Sequence, residues 1–160
     1  MNSVGYCQNI DISLQKLQIK HSAEWGNLNY DTSSSSFCLY KTVPDVDNIP
    51  TICAFITNAK NKEPIQKYIK SKQNDLKDFK IELISRKDTI INQQNVVVLL
   101  WEFDDVVIIN DQMQRFQSLE YIISDLNFIY SIIYTNDKRN FLKSILSGKK
   151  VLNSAVLNNE

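Results

Sequence analysis

Residues 111–134, from Asp111 to Tyr134, read DQMQRFQSLEYIISDLNFIYSIIY, and the fold turns on how that stretch is read. Phe116, Leu119, Ile123, Leu126, Tyr130 and Ile133 recur at spacings of three and four. That period is helical. Asp111, with Gln114 three residues on, has the form of a capping box. The spacing predicts one long helix over residues 111–134. A single apolar stripe is enough to dock such a helix on a sheet. This stretch carries a second stripe, Ile122, Ile129 and Ile132, with Tyr121 and Phe128 alongside. Two coverings are open for it: the chain's own final helix and N-terminal strands, or a partner protein. Large apolar patches seldom stay exposed, and tyrosine suits interfaces because it buries area while keeping a polar tip. Tyr121, Ile122, Phe128, Ile129 and Ile132 are therefore the candidate interface.

Downstream, a last helix is expected from about Asp137 to Ser147, with Gly148 placed as a C′ glycine. Residues 151–160 read as a flexible C-terminal tail. Upstream, residues 95–109 give the strongest strand signal. Val96 to Trp101 is apolar on both faces, which suits a central strand covered on both sides. Asp104-Asp105 interrupts it, so a hairpin turning near Asp104 is expected, with one bent strand as the alternative. Residues 79–85 form a further strand. The helix before it has Pro64 in its first turn, Ile65, Tyr68, Ile69 and Leu76 on one face, and Lys67, Lys70 and Lys77 on the others. Residues 37–43 and 49–57 read as strands joined by a turn, hence antiparallel. Ile10, Ile12 and Leu14 alternate with polar residues as in a half-exposed strand. Leu17 and Ile19 continue out of phase, which signals a bulge or a short helical turn. Residues 31–36 read as a hairpin loop and residues 1–9 as a flexible N-terminus.

These elements make one α+β domain over residues 10–150. It has an antiparallel sheet of five to six strands, one mid-chain helix and two C-terminal helices packed on the sheet. From Phe37 onward the order is two strands, a helix, three strands and two helices. That order resembles the longin or SNARE-like module of trafficking and adaptor subunits over about two-thirds of the chain. An OB-like barrel with a C-terminal helix is a second likeness, disfavoured by the scarcity of strand glycines. Such likenesses concern order and carry no function.

Composition excludes several classes. The chain has 160 residues, 43% of them hydrophobic, and 18 basic residues balance 18 acidic ones, so no global charge selects a nucleic acid or an acidic membrane. Glycine occurs only at Gly5, Gly26 and Gly148, too few for a P-loop or a dinucleotide fingerprint. His21 is the one histidine, which rules out a multi-histidine metal site. No cofactor, metal or catalytic residue is expected. Cys7, Cys38 and Cys53 read as structural thiols. The start of the chain lacks the form of a signal peptide and no apolar run is long enough to span a membrane, so an intracellular site, cytoplasmic or nuclear, is expected.

Two charged groupings remain. Glu102, Asp104 and Asp105 cluster beside Trp101 and Phe103, and read as a solvated turn or, in an enzyme, as acid–base or cation-binding groups. Lys60 to Lys87 holds nine basic residues against four acidic ones, with a second basic patch at Lys138, Arg139, Lys143, Lys149 and Lys150. Lys67, Lys70 and Lys72 are the candidate nucleic-acid contacts. The expected function is a non-catalytic subunit of an intracellular heteromeric complex, acting through the long helix. The alternative is a nucleic-acid-binding accessory that uses the Lys60–Lys87 surface.

Overall fold

The computed structural model describes residues 10–27, 35–41, 50–59, 65–107 and 112–158. Five strands come first in the chain: β1 (Ile10–Leu14), β2 (Leu17–His21), β3 (Trp25–Asn27), β4 (Ser36–Lys41) and β5 (Thr51–Asn58). Helix α1 (Ile65–Lys77) precedes four longer strands: β6 (Glu82–Ile91), β7 (Gln94–Val107), β8 (Gln112–Ser124) and β9 (Phe128–Asp137). Helix α2 (Lys138–Leu152) and the short β10 (Val156–Leu157) complete the described chain. Seven strands form one antiparallel sheet in the order β3-β4-β5-β9-β8-β7-β6. A small sheet, β1-β2-β10, lies apart from it.

The expected helix over residues 111–134 is the hairpin β8–β9, so two helices are present among the described residues and not three. The two strands pair antiparallel, Leu119 opposite Tyr134 and Ile123 opposite Tyr130. The physical reason lies in their position. Both are interior strands of the large sheet, covered on both faces, so both faces are apolar. A continuous apolar run contains the helical spacings as well as the alternating ones. Its isoleucines and aromatics are residues that favour strands. The break comes at Asp125, whose Oδ1 accepts the backbone N–H groups of Asn127 and Phe128, both at 2.7 Å. That Asx-type turn reverses the chain. Asp111, the supposed N-cap, lies outside the described residues.

The sheet separates two cores. Tyr130, Ile132, Tyr134, Leu119, Tyr121, Leu39 and Ile52 face α2 and the small sheet, where they meet Leu17, Ile19, Phe141 and Leu152. On the other face Val97, Leu99, Trp101, Ile122 and Ile129 pack under Ile69 of α1. The expected five to six strands with three helices therefore become, among the described residues, ten strands in two sheets with one helix on each face of the larger. A longin-like order and an OB-like barrel are both set aside. One helix, not two, follows the last long strand, and the large sheet is open, with β3 and β6 as its edges.

Other boundaries move for local reasons. No turn forms at Asp104. β7 continues through it, with Asp104 opposite Arg115 on β8 and bonded to that guanidinium at 3.1 Å. Leu17 and Ile19 fall out of phase because Gln15-Lys16 is a two-residue turn between β1 and β2, Leu14 facing Leu17 across it. Gly148 is not a C′ residue but lies within α2. A Cβ there would sit 2.5 Å from Cδ2 of the buried Tyr134, so the glycine lets the helix close on β9. Asp137 caps α2, its Oδ1 accepting from Arg139 N–H at 3.0 Å and Asn140 N–H at 3.1 Å. Residues 151–158, read as part of a tail, carry the end of α2 and β10, which pairs with β2. Residues 1–9 and 159–160 lie outside the described residues.

Candidate functional site

An open groove of about 970 Å³ lies at one end of the large sheet. Ile65 and Gln66 at the start of α1 form one side. The β6–β7 hairpin contributes Thr89, Ile90, Asn95 and Val97, and the β8–β9 turn contributes Leu126 and Asn127. Strand alternation and the two turns explain the lining. Residues at a sheet end that lack a covering layer alternate between apolar side chains and amides or hydroxyls. The turn that brings β6 and β7 there is Asn92-Gln93, both left-handed with φ 50° and 63°, as a two-residue hairpin requires. Asn92 Nδ2 donates to the carbonyls of Asn153 at 2.8 Å and Ala155 at 3.2 Å, which ties the hairpin to the C-terminal segment.

The groove's carboxylates are engaged in structure. Asp88 bonds Arg86 through both oxygens, at 3.1 and 3.2 Å. Asp125 holds its own turn and accepts from the Tyr130 hydroxyl at 3.3 Å. Burial first, and then the Asp125 charge, push that phenol up to about 12. Besides these carboxylates and the cation Lys16, the groove offers apolar contacts and neutral hydrogen-bonding groups, a lining suited to binding.

The structure distributes the sequence-derived candidates over several places. Tyr121 and Ile132 lie in the core toward α2, Ile122 and Ile129 in the core under α1, and Phe128 packs half-buried against the former. The second stripe is thus divided between the two faces of the sheet and covered by this chain's own elements. Lys67, Lys70 and Lys72 all lie on α1. Lys72 is directed inward: its Nζ is 2.5 Å from Oε1 of the fully buried Glu120. Glu120 also accepts from Ser131 Oγ and from Trp101 Nε1, the latter at 2.7 Å.

Glu102 lies past the middle of β7, away from the groove. It accepts from Arg115 Nε at 2.7 Å, Gln117 Nε2 at 2.8 Å and Lys138 Nζ at 3.0 Å. These bonds, Gln117's foremost and then Arg115's, hold its pKa down at about 2. Asp104 shares Arg115 with it. The carboxylate cluster is therefore an ion network, with Glu102 kept ionised and saturated. His21 is buried at the end of β2, with Nδ1 2.9 Å from the Ser22 carbonyl and Nε2 lacking a hydrogen-bond partner. Among the described residues no three His, Cys, Asp or Glu side chains group as metal ligands. Cys38 and Cys53, read as thiols, form a disulfide between paired positions of β4 and β5. Cross-strand proximity, invisible in their 15-residue separation, is what joins them. Cys7 lies outside the described residues.

No protein-family model matches this sequence, and no curated protein matches it. Solved structures do resemble it. Protein PA94 of unknown function from Pseudomonas aeruginosa superposes with TM-score 0.67 at 10% identity, over 96% of this chain and 99% of that one. Cyanobacterial PsbP (CyanoP) from Synechocystis sp. PCC 6803 gives 0.66 at 11% identity, over 99% and 97%. LpqN, involved in cell envelope biogenesis of Mycobacterium tuberculosis, gives 0.64 at 11% identity, over 95% and 91%. The likeness is one of fold alone. It spans nearly the whole of each chain, so the two sheets and their two helices form a recurrent unit, and functions differ on folds that are shared. Sequence reasoning missed the groove because Ile90, Asn95 and Leu126 converge from three separate segments. The one local signal was Asn92-Gln93 between two strand-like runs, a turn without the usual glycine.

Proposed function

We propose that this domain is a non-catalytic subunit of a heteromeric complex that holds an extended segment of a partner protein in the groove. The observation that carries this is the exposure of Leu126 at 73% and Ile90 at 70%, two large apolar side chains from different elements lining one concavity. Amides at Gln66, Asn95 and Asn127 beside them suit the backbone of an extended chain. The groove also reaches the sheet edge β6, whose outward backbone groups could accept an added strand.

The nucleic-acid reading has less support, because Lys72 is committed to Glu120 and the basic trio is not one surface. As for compartment, the Cys38–Cys53 disulfide favours an oxidising one, and a secretory lumen inside the cell would serve. No helix among the described residues is long and apolar enough to cross a membrane.

The test is quantitative recovery of co-purifying proteins from the source with wild type and with Ile90→Asp/Leu126→Asp. A partner should be recovered with wild type and fall about tenfold or more with the variant, as expected when interface anchors are lost. Far-UV circular dichroism checks that the variant is folded. Equal recovery by a folded variant would refute the groove as the interface.

A further inference from the structure

We propose that the outward face of α2 is a docking surface for an anionic phospholipid bilayer. Arg139, Leu142, Lys143, Leu146 and Lys150 are all exposed and recur at three and four residues along the helix. At 3.6 residues per turn they occupy one narrow arc. The opposite arc, Phe141, Ser144, Gly148, Val151 and Leu152, is buried against the sheet. The outward face is thus fixed by packing and cannot roll inward to hide its leucines. Leu142 is 77% exposed and Leu146 71%, one turn apart.

The charge of this face has one sign. α2 carries five cations, Lys138, Arg139, Lys143, Lys149 and Lys150, and no acidic residue. In a chain whose net charge is zero, that is a local segregation. Lys138 is committed to Glu102, and the other four remain along the helix. Among the described residues Glu24 lies beside the arc, accepting from Ser22 at 3.1 Å and Ser147 at 2.9 Å. A cleft of about 400 Å³ follows at the C-terminal half of α2, with Lys20 and Lys150 among its lining residues. Lys20 adds a cation beyond the helix, with Glu24 in the same cleft.

Leucines flanked by cations match the two layers of a membrane interface. Phosphates attract the cations and the acyl boundary takes the leucines. The face is convex, so it offers no groove to an acidic peptide, while a bilayer yields around a convex helix. Nucleic acid would use the cations and leave the leucines in water.

Vesicle co-sedimentation tests this with the full chain. Vesicles of phosphatidylcholine alone are compared with vesicles containing about 30% phosphatidylglycerol, whose surface potential is negative. Wild type should bind the anionic vesicles only, and more weakly as salt rises. Lys143→Glu/Lys150→Glu should lose about fivefold or more per site. Leu142→Ser/Leu146→Ser should lose about tenfold at constant charge. These positions are exposed, and thermal melts confirm that the variants fold. Three results would overturn the proposal: no binding of wild type at low salt, leucine variants that bind like wild type, or retention on an immobilised acidic peptide with none on vesicles. The last would assign the face to an acidic protein partner instead.

Discussion

Gly148 shows how one residue can set the spacing between layers. Alanine there gains about 1 kcal/mol of helix propensity but forces a methyl into the Tyr134 ring, and overpacking typically costs 1–3 kcal/mol. Gly148→Ala is therefore expected to lower stability by up to about 2 kcal/mol in urea unfolding, against its propensity. Gln93 is the converse case. Its φ of 63° suits glycine. Gln93→Gly relieves roughly 1–2 kcal/mol of left-handed strain against roughly 0.5–1 of chain entropy, so a net gain of about 0.5–1 kcal/mol is expected. Asn92 is a poor site for the same change, because its amide ties the hairpin to the Asn153 and Ala155 carbonyls. At Glu102 the sign of the pH effect follows from its depressed pKa. The group favours the folded state above its ordinary 4.5, and that contribution is lost as pH falls through about 2. The difference in urea midpoint between wild type and Glu102→Gln should hold steady above pH 4.5 and close between there and pH 2.

At the level of elements, α1 is attached to the sheet by one small apolar cluster and one buried ion pair. Ile69 packs on Val97, Leu99, Ile122 and Ile129, and Lys72 reaches Glu120 beside them. Removing one member of a buried pair costs about 3–5 kcal/mol, because the other charge is left without its counter-ion. Lys72→Ala should cost that much, since it leaves the fully buried Glu120 carboxylate without its counter-ion, whereas Glu120→Ala should cost about 1–3 kcal/mol for the Trp101 indole N–H and the Ser131 hydroxyl it strands. Amide hydrogen exchange should show α1 losing protection before β8 and β9. Uniform loss across all three would mean that α1 is not a separate attachment. α1 itself was legible because Ile65, Tyr68, Ile69 and Leu76 recur on one face, with Lys67, Lys70 and Lys77 on the others. β8 and β9 were not, because strands buried on both faces lose the alternation that identifies them. The local cues against the helical spacing, Asp125 and Asn127 inside the run and the isoleucine and tyrosine around them, do not by themselves decide between the two.

Across the whole molecule, the disulfide joins strands β4 and β5 at directly opposed positions. Closing a loop of about 15 residues restricts the unfolded chain by about 3 kcal/mol. Cys38→Ser/Cys53→Ser, or reduction of wild type, should lower the unfolding free energy by about that amount. A wild-type denaturation curve unmoved by reductant would show that the bond does not form. The fold brings together what lies far apart in sequence: Cys38 with Cys53, Lys72 with Glu120 48 residues on, and the groove residues from α1, β6–β7 and the β8–β9 turn.

The sequence by itself determined the class, α+β with antiparallel pairing, the place of α1, the double-sided burial of β7, and a supply of glycine and histidine too small for a phosphate loop or a multi-histidine metal site. Those properties follow from local periodicity and residue supply. Tertiary structure alone decided that residues 112–137 form paired strands, that Gly148 serves closeness rather than capping, and that the two cysteines meet. It also decided which apolar side chains stay in water. The apparent second stripe, at Ile122, Ile129 and Ile132, is core, while Leu126, Leu142 and Leu146 are exposed. Apolarity is a property of the residue, but exposure depends on which neighbours the rest of the chain brings to cover it.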